Sequence, residues 1–147
     1  MKRFAFTLEP LLKIKVSMEK QLKNKQAELL QRLTSYYKQI QKTEDEKTKV
    51  KEEYLSKFGM TAGDMKIFEN HYRSLENKRQ DLKRRAEEIK KELARVQKEL
   101  LNITIEKKTL EKLKVRQYEE YLAELARAGE KELEDIVSGK TAVKGSF

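Results

Sequence analysis

From Met65 to Leu110 apolar side chains recur every three and four residues in alternation: Met65, Phe68, Tyr72, Leu75, Arg79, Leu82, Ala86, Ile89, Leu93, Val96, Leu100, Ile103, Lys107 and Leu110. Only Arg79 and Lys107 break the apolar pattern. A mean spacing of about 3.5 residues falls just short of the helical turn, so the seam stays turned toward a neighbour only if two helices coil around each other left-handedly. The stretch is therefore one strand of a coiled coil.

Composition agrees with long helices. Of 147 residues 40% are charged and 37% apolar, with one Pro, five Gly and no Trp. Paired helices have no deep interior, which leaves little room for an enclosed pocket or a desolvated catalytic group. The absence of Cys removes disulfides, thiolate nucleophiles and soft-metal sites, and fits a reducing compartment. No run approaches the roughly 18 consecutive apolar residues that a membrane span needs, and no apolar block marks a signal peptide. The chain reads as cytoplasmic. A net charge of +9 favours encounter with something acidic, whether nucleic acid, lipid or protein.

In chain order, Lys2-Arg3-Phe4-Ala5-Phe6 forms a basic and aromatic lead. Thr7 reads as a helix N-cap, followed by Glu9 and Pro10, which suit a first turn. Helix 1 is expected over about residues 7–58. Leu8, Leu22, Leu29, Tyr36, Thr43 and Val50 hold one heptad position; Leu33, Ile40, Lys47 and Tyr54 hold the other. Between Leu8 and Leu22 the apolar residues Leu11, Leu12, Ile14, Val16 and Met18 spread around the helix, which fits either a second contact surface or a broader core.

Gly59 supplies a left-handed C-cap, and Thr61 with Asp64 has the spacing of a capping box. A turn over residues 59–63 folds helix 2, about 64–136, back on helix 1 and sets residue i opposite roughly 122 minus i. The expected fold is all-α, a long two-helix antiparallel coiled-coil hairpin, one domain over 1–137 with a flexible tail at 138–147. Past Leu110 the heptad would place Lys114 and Gln117 in the seam, whereas Tyr118, Tyr121, Leu122 and Leu125 resume an apolar face four residues out of phase. That spacing reads as a stutter. Helix 2 should overhang helix 1 from about Lys114 to Asp135, about 30 Å at 1.5 Å per residue, with that face unpartnered.

Catalytic chemistry is missing from the sequence. His71 is the only histidine, no glycine-rich phosphate cradle is present, and acid pairs such as Glu87-Glu88 sit among Lys and Arg as solvated helix faces. No enzyme activity, metal or cofactor is expected. A binding role remains: an RNA-gripping basic hairpin, a generic coiled-coil scaffold, or an adaptor using the overhang and the aromatic tip.

The segment Phe6-x-Leu8-x-x-Leu11-Leu12-x-x-Lys15, the glycine turn, Leu110-Glu111-Lys112-Leu113-Lys114, Glu119-Glu120-Tyr121 and Glu130-Lys131-x-Leu133-Glu134-Asp135 together resemble the flagellar export protein FliJ family. The resemblance implies a component of the flagellar type III export apparatus, similar to the coiled-coil stalk of rotary ATP synthases. Its implied partners are a hexameric export ATPase, a membrane export-gate protein and export chaperones, with peripheral placement at the inner face of the membrane and no nucleic acid. Carried onto this chain, the implied gate contact is Val50, Tyr54, Phe68, Tyr72 and Leu75. The ring contact is placed at Leu11, Leu12, Tyr118, Tyr121, Leu122 and Leu125.

Overall fold

A computed structural model describes residues 2–145, with side chains described as far as residue 139. It contains two helices, α1 (Glu9–Ser56) and α2 (Ala62–Gly145), and among the described residues no strand. The fold is all-α, an antiparallel helical hairpin, as the heptads require.

The reversal between the helices is built as the local sequence dictates. Gly59 has φ +75, a left-handed conformation that a side chain would strain, and no other described residue has a positive φ. The Asp64 amide donates to the Thr61 hydroxyl oxygen (3.1 Å), and the Thr61 amide donates to the Asp64 carboxylate (3.2 Å). This is the reciprocal capping box, with the shorter Asp still reaching back. At the other end of α1 the sequence expectation shifts by one residue. The Leu12 amide donates to the Leu8 carbonyl (2.9 Å), so Leu8 and not Thr7 precedes the first turn. Phe6 is buried, and its carbonyl accepts from the Glu9 amide (3.0 Å), which sets the entry. α2 runs to Gly145, past the end expected near residue 136, because Gly139 adopts no left-handed conformation and no proline follows. Ser146 and Phe147, the last residues of the expected tail, lie outside the described residues.

The chain divides into two compact units. The first, Glu19–Leu101, holds the turn and a core of Leu29, Leu33 and Ile40 from α1 with Leu82, Ala86, Ile89, Leu93 and Val96 from α2. Leu22 and Tyr36 pack against it. Leu29 is fully buried and Val96 is 2% exposed, and side chains of this kind contribute about 1.5–3 kcal/mol each on burial. The register matches the expected pairing: Tyr54 stacks on Phe68 and Glu44 pairs with Arg79. Thr43, at a seam position, is 1% exposed and donates its hydroxyl to the Gln39 carbonyl (2.8 Å), so its burial leaves no donor unpaired.

A charged layer interrupts this seam. Arg79 grips the Glu76 carboxylate with two nitrogens (3.1 Å each) and reaches across to Glu44 (3.3 Å), while Lys47 crosses from α1 to pair with Glu76. The Arg79 guanidinium, and then the Lys47 ammonium, hold the Glu76 carboxyl well below the usual range, at about 2 against 4.5. A seam only two helices wide leaves these heads partly wet. Their aliphatic stems cover the apolar strip on either side.

The second unit comprises the residues up to Met18 and those from Asn102 onward. Phe6, Leu12 and Leu110 form its core, with Phe4 and Leu113 packed against them and Ile103 also buried. Ion pairs Lys15–Glu106 (2.6 Å) and Glu9–Lys114 (2.8 Å) tie α1 to α2. Here the broader core is not formed on α1, and the expected phase change on α2 is revised. Burial on α1 passes through Leu12 and Lys15 and leaves Leu11, Ile14, Val16 and Met18 exposed, so the seam stays narrow and uses a lysine. On α2 the half-buried positions after Leu110 include Lys114, Gln117 and Tyr121, which continue the original heptad. As far as Tyr121 the burial phase therefore keeps the heptad, while Leu113 and Leu125, also half-buried, lie off it. Lys114 is accommodated because Glu9 neutralises it, and Tyr121 because the lead of the chain covers it.

Leu29→Ala is expected to lower unfolding free energy by about 2–5 kcal/mol and the neighbouring exposed Leu30→Ala by less than about 1 kcal/mol, compared by urea titration followed by circular dichroism. For Glu76 the folded pKa is depressed, so its contribution is present above the unfolded value near 4.5 and is lost as pH falls toward about 2. The wild-type urea midpoint should drop more steeply over that window than the midpoint of Glu76→Gln. Equal slopes in the two proteins would show that the layer contributes nothing to acid sensitivity.

Candidate functional site

At the turn end of the first unit, the residues expected to meet the export gate form a packed ladder. Tyr54 and Phe68 stack with ring centroids 4.1 Å apart and planes 14° from parallel, and Phe68 stacks on Tyr72 at 5.7 Å. Lys47 lies over the Tyr72 ring at 4.9 Å, which joins the ladder to the charged layer. Val50, Tyr54, Phe68 and Tyr72 are half-buried and Leu75 is buried. All five lie on the heptad seam, and Leu75 is a core residue with little surface to offer.

The exposed apolar side chains of this end are different ones. Phe58 is 100% exposed, Ile67 70% and Leu55 69%. Leu55 follows seam residue Tyr54 and Ile67 precedes seam residue Phe68, so both point off the seam. Phe58 stands in the turn just beyond α1. Phe58 and Ile67, with Tyr54, Met60, Phe68 and His71, line an open concavity of about 520 Å³. Neither Phe58 nor Ile67 is among the contact residues expected from the sequence. The available signal was an apolar residue one place out of heptad phase.

In the second unit the six residues expected at the ATPase ring separate. Leu12 is buried with Phe6 and Leu110 and belongs to the core, because it holds the seam position that the spread of apolar residues between Leu8 and Leu22 obscured. Leu11, Tyr118 and Leu122 are exposed, at 40%, 45% and 44%. Tyr121 and Leu125 are half-buried.

The α2 face expected to be bare is partly covered from within the chain. Phe4 packs edge-on against Tyr118 (centroids 5.1 Å) and at a tilt against Tyr121 (5.7 Å), and the Tyr121 hydroxyl donates to the Lys2 carbonyl (2.7 Å). Tyr118 and Tyr121 also stack on each other, at 6.3 Å. The lead gave no periodic signal, so its docking was not legible in the sequence. Beyond it α2 still exposes Leu133, Ile136 and Val137.

Among the described residues no cluster of three or more His, Cys, Asp or Glu is arranged to hold a metal, and no helix is long and apolar enough to cross a membrane. What the surfaces offer is exposed apolar and aromatic area.

Comparison with curated proteins and with solved structures gives no match. A family model described as the flagellar FliJ protein matches residues 4–145, nearly the whole chain. The chain belongs to the FliJ family and is a component of the flagellar protein export apparatus, in a family of non-catalytic proteins.

Proposed function

We propose that this protein acts as the coiled-coil stalk of the export ATPase ring, with one apolar surface seated in the hexamer and another reaching the membrane export gate. In this role it works in the cytosol, peripherally at the inner face of the membrane, and helps cycle export chaperones. The observation that carries the reading is the set of large apolar side chains left exposed off the seam, in a chain of a flagellar export family. Two helices that bury what they can in one strip leave Phe58 and Ile67 at the turn, and Leu11, Tyr118 and Leu122 in the other unit, not fully buried by any of the described residues. Solvated apolar side chains grouped in this way suit protein docking.

The ring-facing set is Leu11, Tyr118, Tyr121, Leu122 and Leu125. The gate-facing set is Phe58 and Ile67, backed by the ladder of Tyr54, Phe68 and Tyr72 and by Val50. Leu12 and Leu75 serve as core. A stalk must resist bending, and the stacked ladder with its charged layer stiffens the segment next to the gate surface.

Phe58→Ser combined with Ile67→Ser is expected to weaken gate binding by about tenfold or more while ring binding and helical circular dichroism persist. Leu11→Ser with Leu122→Ser should do the reverse. Both are measured by calorimetry against the purified export ATPase and the soluble part of the gate. Loss of both interactions in either variant would contradict two separate surfaces. Leu12→Ala should instead lower thermal stability, as expected of a core position.

A further inference from the structure

Apart from the turn, the lead of the chain is the described segment that lies against α2 without being part of a helix. It is anchored at one end: Phe6 is 7% exposed within the core of its unit. Ahead of that anchor, residues 2–5 have no regular secondary structure. Phe4 is half-buried on the rings of Tyr118 and Tyr121, and Lys2 accepts the Tyr121 hydroxyl through its carbonyl. The same segment borders a groove of about 540 Å³ whose walls include Lys2, Arg3, Glu120, Glu124 and Leu125. Two cations on the lead and two carboxylates on α2 thus line one groove, and an aromatic ring rests on the two aromatic residues of the candidate docking face.

We infer that residues 2–5 form a displaceable strap over the Tyr118–Tyr121 face, hinged at Phe6, and that a partner binding this face must lift it. The closed arrangement is held by one ring on two others and one hydrogen bond to a backbone oxygen. A partner that offers an aromatic or apolar side chain replaces the ring contact, and water or a polar group of the partner accepts from the Tyr121 hydroxyl in place of the Lys2 carbonyl. Phe6 does not have to leave the core for the strap to open, so opening leaves the hairpin intact. The strap keeps part of an apolar face covered while no partner is present, and the apparent affinity of a partner falls in proportion to the fraction of chains that are open. The identity of that partner as the export ATPase ring rests on the function proposed above; the strap itself rests on the contacts of the lead.

The test uses the whole chain, which has no native cysteine. Without any partner, Leu125→Cys gives a half-shielded thiol beside the strap, and its alkylation should be several-fold faster when Phe4→Ala is added. No change in rate would overturn the strap. With the ATPase ring, Phe4→Ala in the cysteine-free chain should tighten binding by about three- to tenfold, as expected for removal of a competing aromatic contact. Lys2→Cys with Glu124→Cys, joined by a reductively cleavable bis-maleimide, should bind at least about tenfold more weakly than the same protein after cleavage. Weaker ring binding by Phe4→Ala would make Phe4 part of the docking surface and overturn the inference. So would full binding by the tethered form. If alkylation responds to Phe4→Ala while no form binds the ring, the strap stands and the ring assignment falls. Circular dichroism of each variant, with Phe6→Ala as the destabilised reference, separates opening from unfolding.

Discussion

Apolar contact between two helices is confined to a single strip, and the chain must bury its core in that strip or not at all. In the unit around the turn, positions from Leu22 to Tyr54 on α1 meet those from Phe68 to Leu100 on α2 with alternating spacings of three and four. Because the strip is open along both sides, it tolerates members that a globular core would reject. Lys47, Glu76 and Arg79 sit in or beside it with their charges paired and their heads partly wet. The same narrowness decides which apolar residues remain on display. A leucine or phenylalanine one place off the strip stays in water however hydrophobic it is, and in this protein those are the residues with which another protein can be met.

Most of the hairpin was legible in the sequence because a heptad, a left-handed glycine and a capping box are local codes. Gly59, Thr61 and Asp64 have the conformation and hydrogen bonds that their spacing requires, and the register follows from the turn position. What was not legible had three physical origins. Gln26 and Glu19 of α1 in the first unit, and Lys15 in the second, lie on buried or half-buried seam positions. Hydrophobicity passes over them, although their stems can cover apolar area and Glu19 pairs with Lys23. The lead of the chain has no repeat, so nothing in its pattern announced that Phe4 would cross to Tyr118 and Tyr121. Finally, the tip set Val50, Tyr54, Phe68, Tyr72 and Leu75 follows from the family resemblance, which does not weigh whether a residue lies on the seam or beside it. Heptad phase decides exposure here: Tyr54, Phe68 and Tyr72 fall on the seam and are half-buried, while Ile67 falls beside it and is exposed.

The charged layer illustrates how specificity and stability can diverge in such a fold. Paired Arg79, Glu76, Lys47 and Glu44 contribute less than a well-packed leucine layer could, because each charge gives up hydration to be there. What the layer adds is discrimination. A shift of one helical turn would separate Lys47 from Glu76 and leave charged groups facing apolar positions. Polar residues at seam positions are known to select register and partner number in coiled coils at some expense of stability. A long apolar seam without such a marker could pair in several ways.

The order of contacts along the chain gives the hairpin a direction in time. The capping box joins residues three apart, the charged layer joins residues 29 and 35 apart, and Tyr121 meets Lys2 across 119 residues. The loop that must close lengthens steadily away from Gly59, while each new contact near the turn shortens the loop left for the next. The hairpin is thus expected to close like a zip from its turn, with the lead docking last. On fraying the sequence reverses, so the region around Tyr121 should show the fastest amide exchange of any packed part of the chain, and the unit that holds the lead would loosen first.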